Sequence, residues 1–165
     1  MGWRKSNKFM NLFILRHGKA VNGEQDLKDF DRQLSEKGIL QAIKIGDYLR
    51  DKNINQIICS SAPRAFETAT IVDQIIKAAD FEEDSRLYLA DSNTIKHKIS
   101  TTANANNVLY VGHNFGISDF ASHISGQKID MTTCMVIELD LQIDDWDLLS
   151  ENIGVIKNIT EPNQL

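Results

Sequence analysis

The strongest constraint on this chain is a rhythm of buried strands, each ending abruptly in a basic or imidazole group. Phe9 to Leu15 is a nearly unbroken apolar run closed by Arg16-His17-Gly18, as expected of a strand covered on both faces. Ser35-Glu36-Lys37-Gly38 then opens a segment with Ile39, Ala42, Ile43, Gly46 and Leu49 on one helical face, and Ser35 is positioned to cap it. A second strand is expected over Ile54 to Cys59. It meets Ser60-Ser61-Ala62-Pro63, where the proline suits a first helical turn and Ala65, Ala69, Val72 and Ile76 mark a buried stripe. Asn93 to Thr102 reads as a weaker helix, and Asn107 to Val111 as a third buried strand. Ile117, Phe120, Ala121 and Ile124 form the stripe of a helix that stops at Gly126. Met135 to Asp140 and Val155 to Ile159 read as later, less buried strands, one of them antiparallel at an edge. Between them, Trp146 with Asp144, Asp145 and Asp147 reads as a solvated loop without a calcium-binding pattern.

Alternation of this kind predicts an α/β fold, a three-layer α/β/α sandwich around a mostly parallel central sheet. At 165 residues the chain suits one domain over 1–165, and no repeat, low-complexity tract or linker divides it. Residues 1–8 read as a flexible basic tail. Gly2 and Ser6 formally fit a myristoylation pattern, but the match is short and the tail reading is kept.

Composition excludes other classes. With 18 Lys and Arg against 23 Asp and Glu, the net charge of −5 leaves no broad surface for a nucleic acid. No apolar run approaches the ~20 residues that cross a bilayer, so no membrane partner is expected. Cys59 and Cys134 lack a CxxC spacing and read as buried, reduced thiols of a cytoplasmic protein.

In a parallel sheet, ligands bind beyond the carboxyl ends of the strands. Three strand-to-helix junctions bring basic or imidazole groups to that edge: Arg16 and His17, then Arg64, then His113. Two guanidinium forks suit a tetrahedral oxyanion such as phosphate. Two imidazoles beside it add a nucleophile and a donor. The arginines disfavour protonation of a neighbouring histidine, which makes a neutral His17 plausible; His113 is either a protonated clamp or a neutral donor. Gly18 permits close backbone approach to the bound group, and Asn114 opens the next helix toward it. Asp29, Asp31 and Arg32 read as a local ion-pair cluster, with Arg32 lining the pocket as the alternative. His97 and His123 read as surface groups.

These residues resemble the histidine phosphatase superfamily, the phosphoglycerate-mutase-like fold. The resemblance rests on Leu15-Arg16-His17-Gly18, the segment Asp31 to Gly38, Ser60 to Ala65 with Glu67-Thr68-Ala69, and Val111-Gly112-His113-Asn114. Compact length, Asp31-Arg32 and Thr133-Cys134 resemble its SixA-like branch, which acts on phosphohistidine in proteins. The resemblance implies a phosphatase without cofactor or metal. In it His17 becomes phosphorylated, Arg16, Arg64 and His113 form the phosphate pocket, and water then hydrolyses the phosphoenzyme. Larger members carry an acidic proton donor in a Leu-x-Glu context; here the stretch Leu87-Tyr88-Leu89-Ala90-Asp91 has Leu89 at that place. Asp91 is either a substitute acid or a helix N-cap, and the N-cap is preferred. A phosphoramidate needs leaving-group protonation far less than an alkoxide does.

The expectation is therefore a cytoplasmic, monomeric phosphatase acting on a phosphorylated protein or a small phosphorylated compound, and most simply on protein phosphohistidine. The alternatives are a small-molecule phosphomonoesterase using Asp91 as acid, and a noncatalytic phosphate-binding module.

Overall fold

Apolar residues that alternate sides along β1 (Met10–Arg16) set the layering of the whole molecule. Leu12 and Ile14 pack into one core with Ile95, Ile117 and Phe120, while Phe13 and Leu15 pack into the other with Ala42, Ile45, Ala65 and Val72. Consecutive residues of a strand point to opposite faces, so a strand buried on both must be apolar throughout. Each such side chain contributes roughly 1.5–3 kcal/mol on burial.

The computed structural model describes residues 9–165; the tail expected over residues 1–8, with the Gly2 and Ser6 pattern, lies outside them. After β1 come α1 (Glu36–Leu49), β2 (Gln56–Ser60), α2 (Pro63–Ile76), β3 (Asp80–Asp84) and α3 (Ser92–Thr102). The chain continues through β4 (Asn107–Gly112), α4 (Gly116–Ser125), β5 (Val136–Leu141) and β6 (Gly154–Thr160). The sheet order is β3-β2-β4-β1-β5-β6. The first four strands in that order pair in parallel, and β5 runs antiparallel to both β1 and β6. Helices α1 and α2 cover one face, and α3 and α4 the other.

Local chemistry accounts for the helix starts. Ser35 caps α1 by accepting from the Gly38 N–H, and Asp91 caps α3 by accepting from the Thr94 N–H. Pro63 opens α2, where its missing N–H costs nothing.

The structure corrects three expectations. β3, with the sequence Asp-Phe-Glu-Glu-Asp, escaped the hydrophobic pattern because it is an edge strand paired only with β2. Its last residue, Asp84, is buried against Lys98 of α3, with Nζ to Oδ2 at 2.9 Å. Of the two late strands, β6 lies at the edge and pairs antiparallel with β5, as expected, but β5 is not less buried: it lies between β1 and β6 and is buried along most of its length. Trp146 is core rather than loop. It is buried and donates from Nε1 to the Ala105 carbonyl at 2.8 Å, while the flanking Asp144, Asp145 and Asp147 stay in solvent.

Candidate active site

Parallel pairing aligns the carboxyl ends of β1, β4 and β2. Arg16 stands opposite Gly112 and Val111 opposite Cys59, so the residues that leave these strands emerge side by side. The His17 N–H donates to the Gly112 carbonyl at 3.1 Å. Arg64 sits in the first turn of α2, and His113 and Asn114 link β4 to α4. The result is a cavity of about 400 Å³. Arg16, His17, Arg64, His113 and Asn114 line it.

His17 is held in one tautomer. Its Nδ1 lies 2.8 Å from the Gly18 carbonyl. A carbonyl only accepts, so Nδ1 carries the proton and Nε2 keeps its lone pair. Arg64 Nε donates toward that Nε2 at 3.3 Å. Burial, with the charges of Arg64 and Arg16 added, pushes the imidazole down to about 4 against the opposing Gly18 bond. The ring is therefore neutral at physiological pH, as a nucleophile must be.

His113 is driven down to about 3, first by burial and then by His17, whose ring centroid is 5.0 Å away. Of the two states open from sequence, the neutral donor fits. Ser60 Oγ accepts from the Ala62 N–H and meets His113 Nε2 at 2.8 Å. The hydroxyl proton is then free to be donated to Nε2, which leaves the proton of the neutral ring on Nδ1.

Arg16 anchors one guanidinium nitrogen on the Met131 carbonyl at 2.7 Å. Its buried Nε and the His113 Nδ1 have no hydrogen-bond partner among the described residues. A buried donor without a partner is costly, and both belong to residues that line the cavity. An anion in the cavity would supply the acceptor each of them needs.

Gly18 does not line the cavity. Its N–H donates to Thr68 Oγ1 at 3.0 Å, which corrects its expected role in binding the substrate. The glycine is required by a close crossing: a Cβ at Gly18 would stand 2.7 Å from the Gly38 carbonyl oxygen, and one at Gly38 would stand 2.1 Å from that of Lys19. The loop after His17 thus lies directly on the first turn of α1, and the Gly18 carbonyl orients the imidazole.

From sequence, Asp29, Asp31 and Arg32 read as a local ion-pair cluster, with Arg32 alone as a candidate for the pocket; Arg32 does both, and Asp29 joins it in the cavity without a sequence signal. Arg32 bonds Asp29 at 2.9 Å, and both line the cavity together with Lys19. Asp29 also accepts from Arg64 at 3.0 Å and from the Tyr88 hydroxyl at 2.6 Å. The short 3-10 turn Asp29–Asp31 is thereby tied to the start of α2. No spacing rule links Asp29 to Arg64 or Tyr88, so only the fold reveals the contact. Leu89, at the place where an acid was sought, lines the cavity in a left-handed conformation with φ 47°. Asp91 is outside the cavity, with its carboxylate held on the Thr94 N–H at 2.8 Å. Its pKa is lowered by that bond, opposite to what an acid catalyst needs. His97 and His123 are exposed. Among the described residues, no group of three or more His, Cys, Asp or Glu side chains is arranged to hold a metal ion.

Comparison with known proteins settles the relationship. Residues 12–88 match the model of the histidine phosphatase superfamily, branch 1. An uncharacterized chloroplast protein of Arabidopsis thaliana is 30% identical over 149 residues, which span 82% of this chain and 68% of that one. The chain belongs to the histidine phosphatase superfamily. Among solved structures, this histidine phosphatase resembles a candidate phosphohistidine phosphatase SixA from Nakamurella multipartitia, with a TM-score of 0.81 at 21% identity, covering 93% of this chain and 96% of that one. It also resembles the protein histidine phosphatase SixA complexed with tungstate, with a TM-score of 0.79 at 20% identity over 94% and 99% of the two chains. At that identity these likenesses show a shared fold. No helix among the described residues is long and apolar enough to cross a membrane.

Proposed function

We propose that this histidine phosphatase removes phosphoryl groups from protein phosphohistidine through a covalent intermediate on His17. In the first step His17 Nε2 attacks phosphorus as the bond from phosphorus to the substrate's ring nitrogen breaks. The bonding pair stays on the leaving nitrogen. In the second step water attacks the phosphorylated His17, a P–O bond replaces the P–N bond, and the pair returns to Nε2 while a water proton passes to phosphate or solvent. Throughout, the proton stays on His17 Nδ1, donated to the Gly18 carbonyl.

Arg16, Arg64 and His113 carry the phosphoryl oxygens in this reading, with Asn114 at the rim of the same cavity. Preorganised donors of this kind supply positive potential where charge develops in the transition state. The proposed reaction uses these groups alone, with no metal or cofactor. The single observation that supports it best is the fixed Nδ1–H tautomer of a buried, neutral His17 whose Nε2 meets Arg64. The likeness to SixA structures and the lack of an acid at Leu89 favour a nitrogen leaving group. Buried free thiols at Cys59 and Cys134 favour a cytoplasmic enzyme over a disulfide-bonded secreted one.

The test is steady-state hydrolysis of a phosphohistidine-bearing protein and a panel of small phosphate esters by wild type and His17→Ala. The expected result is turnover of the phosphoprotein that falls by at least about 10³-fold in the variant. Binding of inorganic phosphate without turnover of any substrate would instead identify a noncatalytic module.

A further inference from the structure

Asp29 is the one carboxylate among the described residues that line the cavity, facing the cationic Arg16, Lys19, Arg32 and Arg64. Its placement is specific. Oδ2 accepts from Arg64 at 3.0 Å and from the Tyr88 hydroxyl at 2.6 Å, while Oδ1 accepts from Arg32 at 2.9 Å. The Arg64 guanidinium that holds this carboxylate also meets His17 Nε2 through its Nε. One planar fork therefore spans the nucleophile and Asp29. His17 is buried at the floor, whereas the Asp29 side chain is 48% exposed at the mouth. Displacement at phosphorus is in line, so the leaving group must lie on the side away from His17, toward the mouth where Asp29 sits.

Deepening the phosphohistidine reading, on which this inference rests, we propose that Asp29 is a specificity residue that accepts a hydrogen bond from the unphosphorylated ring nitrogen of the substrate's phosphohistidine. A phosphoimidazole protonated on that nitrogen is cationic and has a weakened P–N bond. When His17 attacks, the P–N pair stays on the departing nitrogen and the ring keeps the proton it already carries. It leaves as neutral imidazole, and no proton donor is required. A carboxylate at the mouth stabilises the reactive cationic ring.

The same group disfavours esters. Hydrogen bonds from Tyr88 and Arg32, followed by the charge of Arg64, hold the Asp29 carboxyl well below the usual carboxylate range. It is ionised at neutral pH and has no proton to give to an alkoxide. Leu89, 52% exposed at the same mouth, has none either. An anionic acceptor paired with an apolar neighbour suits a flat, cationic heterocycle and repels an anionic leaving group.

The experiment compares wild type, Asp29→Asn and Asp29→Glu on two small substrates, phosphoimidazole and p-nitrophenyl phosphate, whose leaving phenolate needs no proton. Loss of a charged acceptor from a hydrogen-bonded cation predicts that Asp29→Asn lowers the ratio of kcat/KM for phosphoimidazole over aryl phosphate by about tenfold to a hundredfold. Asp29→Glu should recover part of that ratio. In kcat/KM both enzymes should lose phosphoimidazole activity at the same pH, as the free substrate ring deprotonates, whereas in kcat, which reports the bound ring, Asp29→Asn should lose activity at a lower pH than wild type. An equal loss on both substrates, or an unchanged ratio, overturns the role of Asp29 while leaving the phosphatase reading intact. A wild type that turns over aryl phosphate through His17 but not phosphoimidazole overturns both.

Discussion

At the scale of single residues the site is a set of neutral imidazoles held among fixed positive charges. His17 and His113 are each depressed chiefly by burial, so neither needs to lose a proton before phosphate can bind. Their partners are different in kind: a backbone carbonyl fixes His17, and a serine hydroxyl fixes His113. This difference predicts graded losses. Removing the phosphoryl donor in His113→Ala should cost about 10²–10³ in kcat. Ser60→Ala removes the hydrogen bond that orients His113, together with the acceptor of the Ala62 N–H, and a loss of about threefold to tenfold is expected. Stopped-flow or steady-state rates on one substrate check the pair, and equal losses would show that Ser60 does more than orient the ring. That Arg16, His17, Arg64 and His113 meet at one sheet edge was legible in the sequence because each follows an apolar strand run. Asp29 was only half legible: its pairing with Arg32 is local in sequence, whereas its contacts with Arg64 and Tyr88 depend on how loops from three parts of the chain fold over the sheet edge.

At the scale of elements, the helices and buried strands were readable and the edge was not. Strands β1, β2 and β4 announce themselves because both of their faces are covered. β3 needs no such pattern, since one side of its backbone is unpaired and its buried acid finds Lys98 rather than an apolar neighbour. The direction of β5 was equally hidden. A strand between two neighbours is buried whether it runs with them or against them, so hydrophobicity carries no information on its sense. Asp91 shows how element structure decides a functional question. Its carboxylate closes the first turn of α3, and replacing such a cap by alanine costs about 1 kcal/mol. Asp91→Ala should therefore shift the urea midpoint downward and leave kcat/KM within about twofold of wild type. A fall of a hundredfold in hydrolysis of alkyl phosphates, with stability unchanged, would instead make Asp91 the acid of an esterase.

At the scale of the whole molecule, the two buried histidines of the cavity burden stability in acid. In the unfolded chain each titrates near 6.5, but in the folded protein His17 titrates near 4 and His113 near 3. Between those limits the unfolded state binds more protons, so stability falls as pH falls below 6.5 and stops falling on their account only beneath the folded values. At about pH 5 the loss is roughly 2 kcal/mol for each buried histidine. Denaturant unfolding from pH 8 to pH 4 checks this, and the double variant His17→Asn with His113→Asn should show a shallower acid limb. The most direct measurement of the central claim is chemical. Wild type mixed with a ³²P-labelled phosphodonor and quenched in alkali within milliseconds should carry acid-labile, alkali-stable phosphate, and peptide mapping should assign it to His17. Turnover that proceeds at full rate with no label on His17 at any quench time would contradict the account.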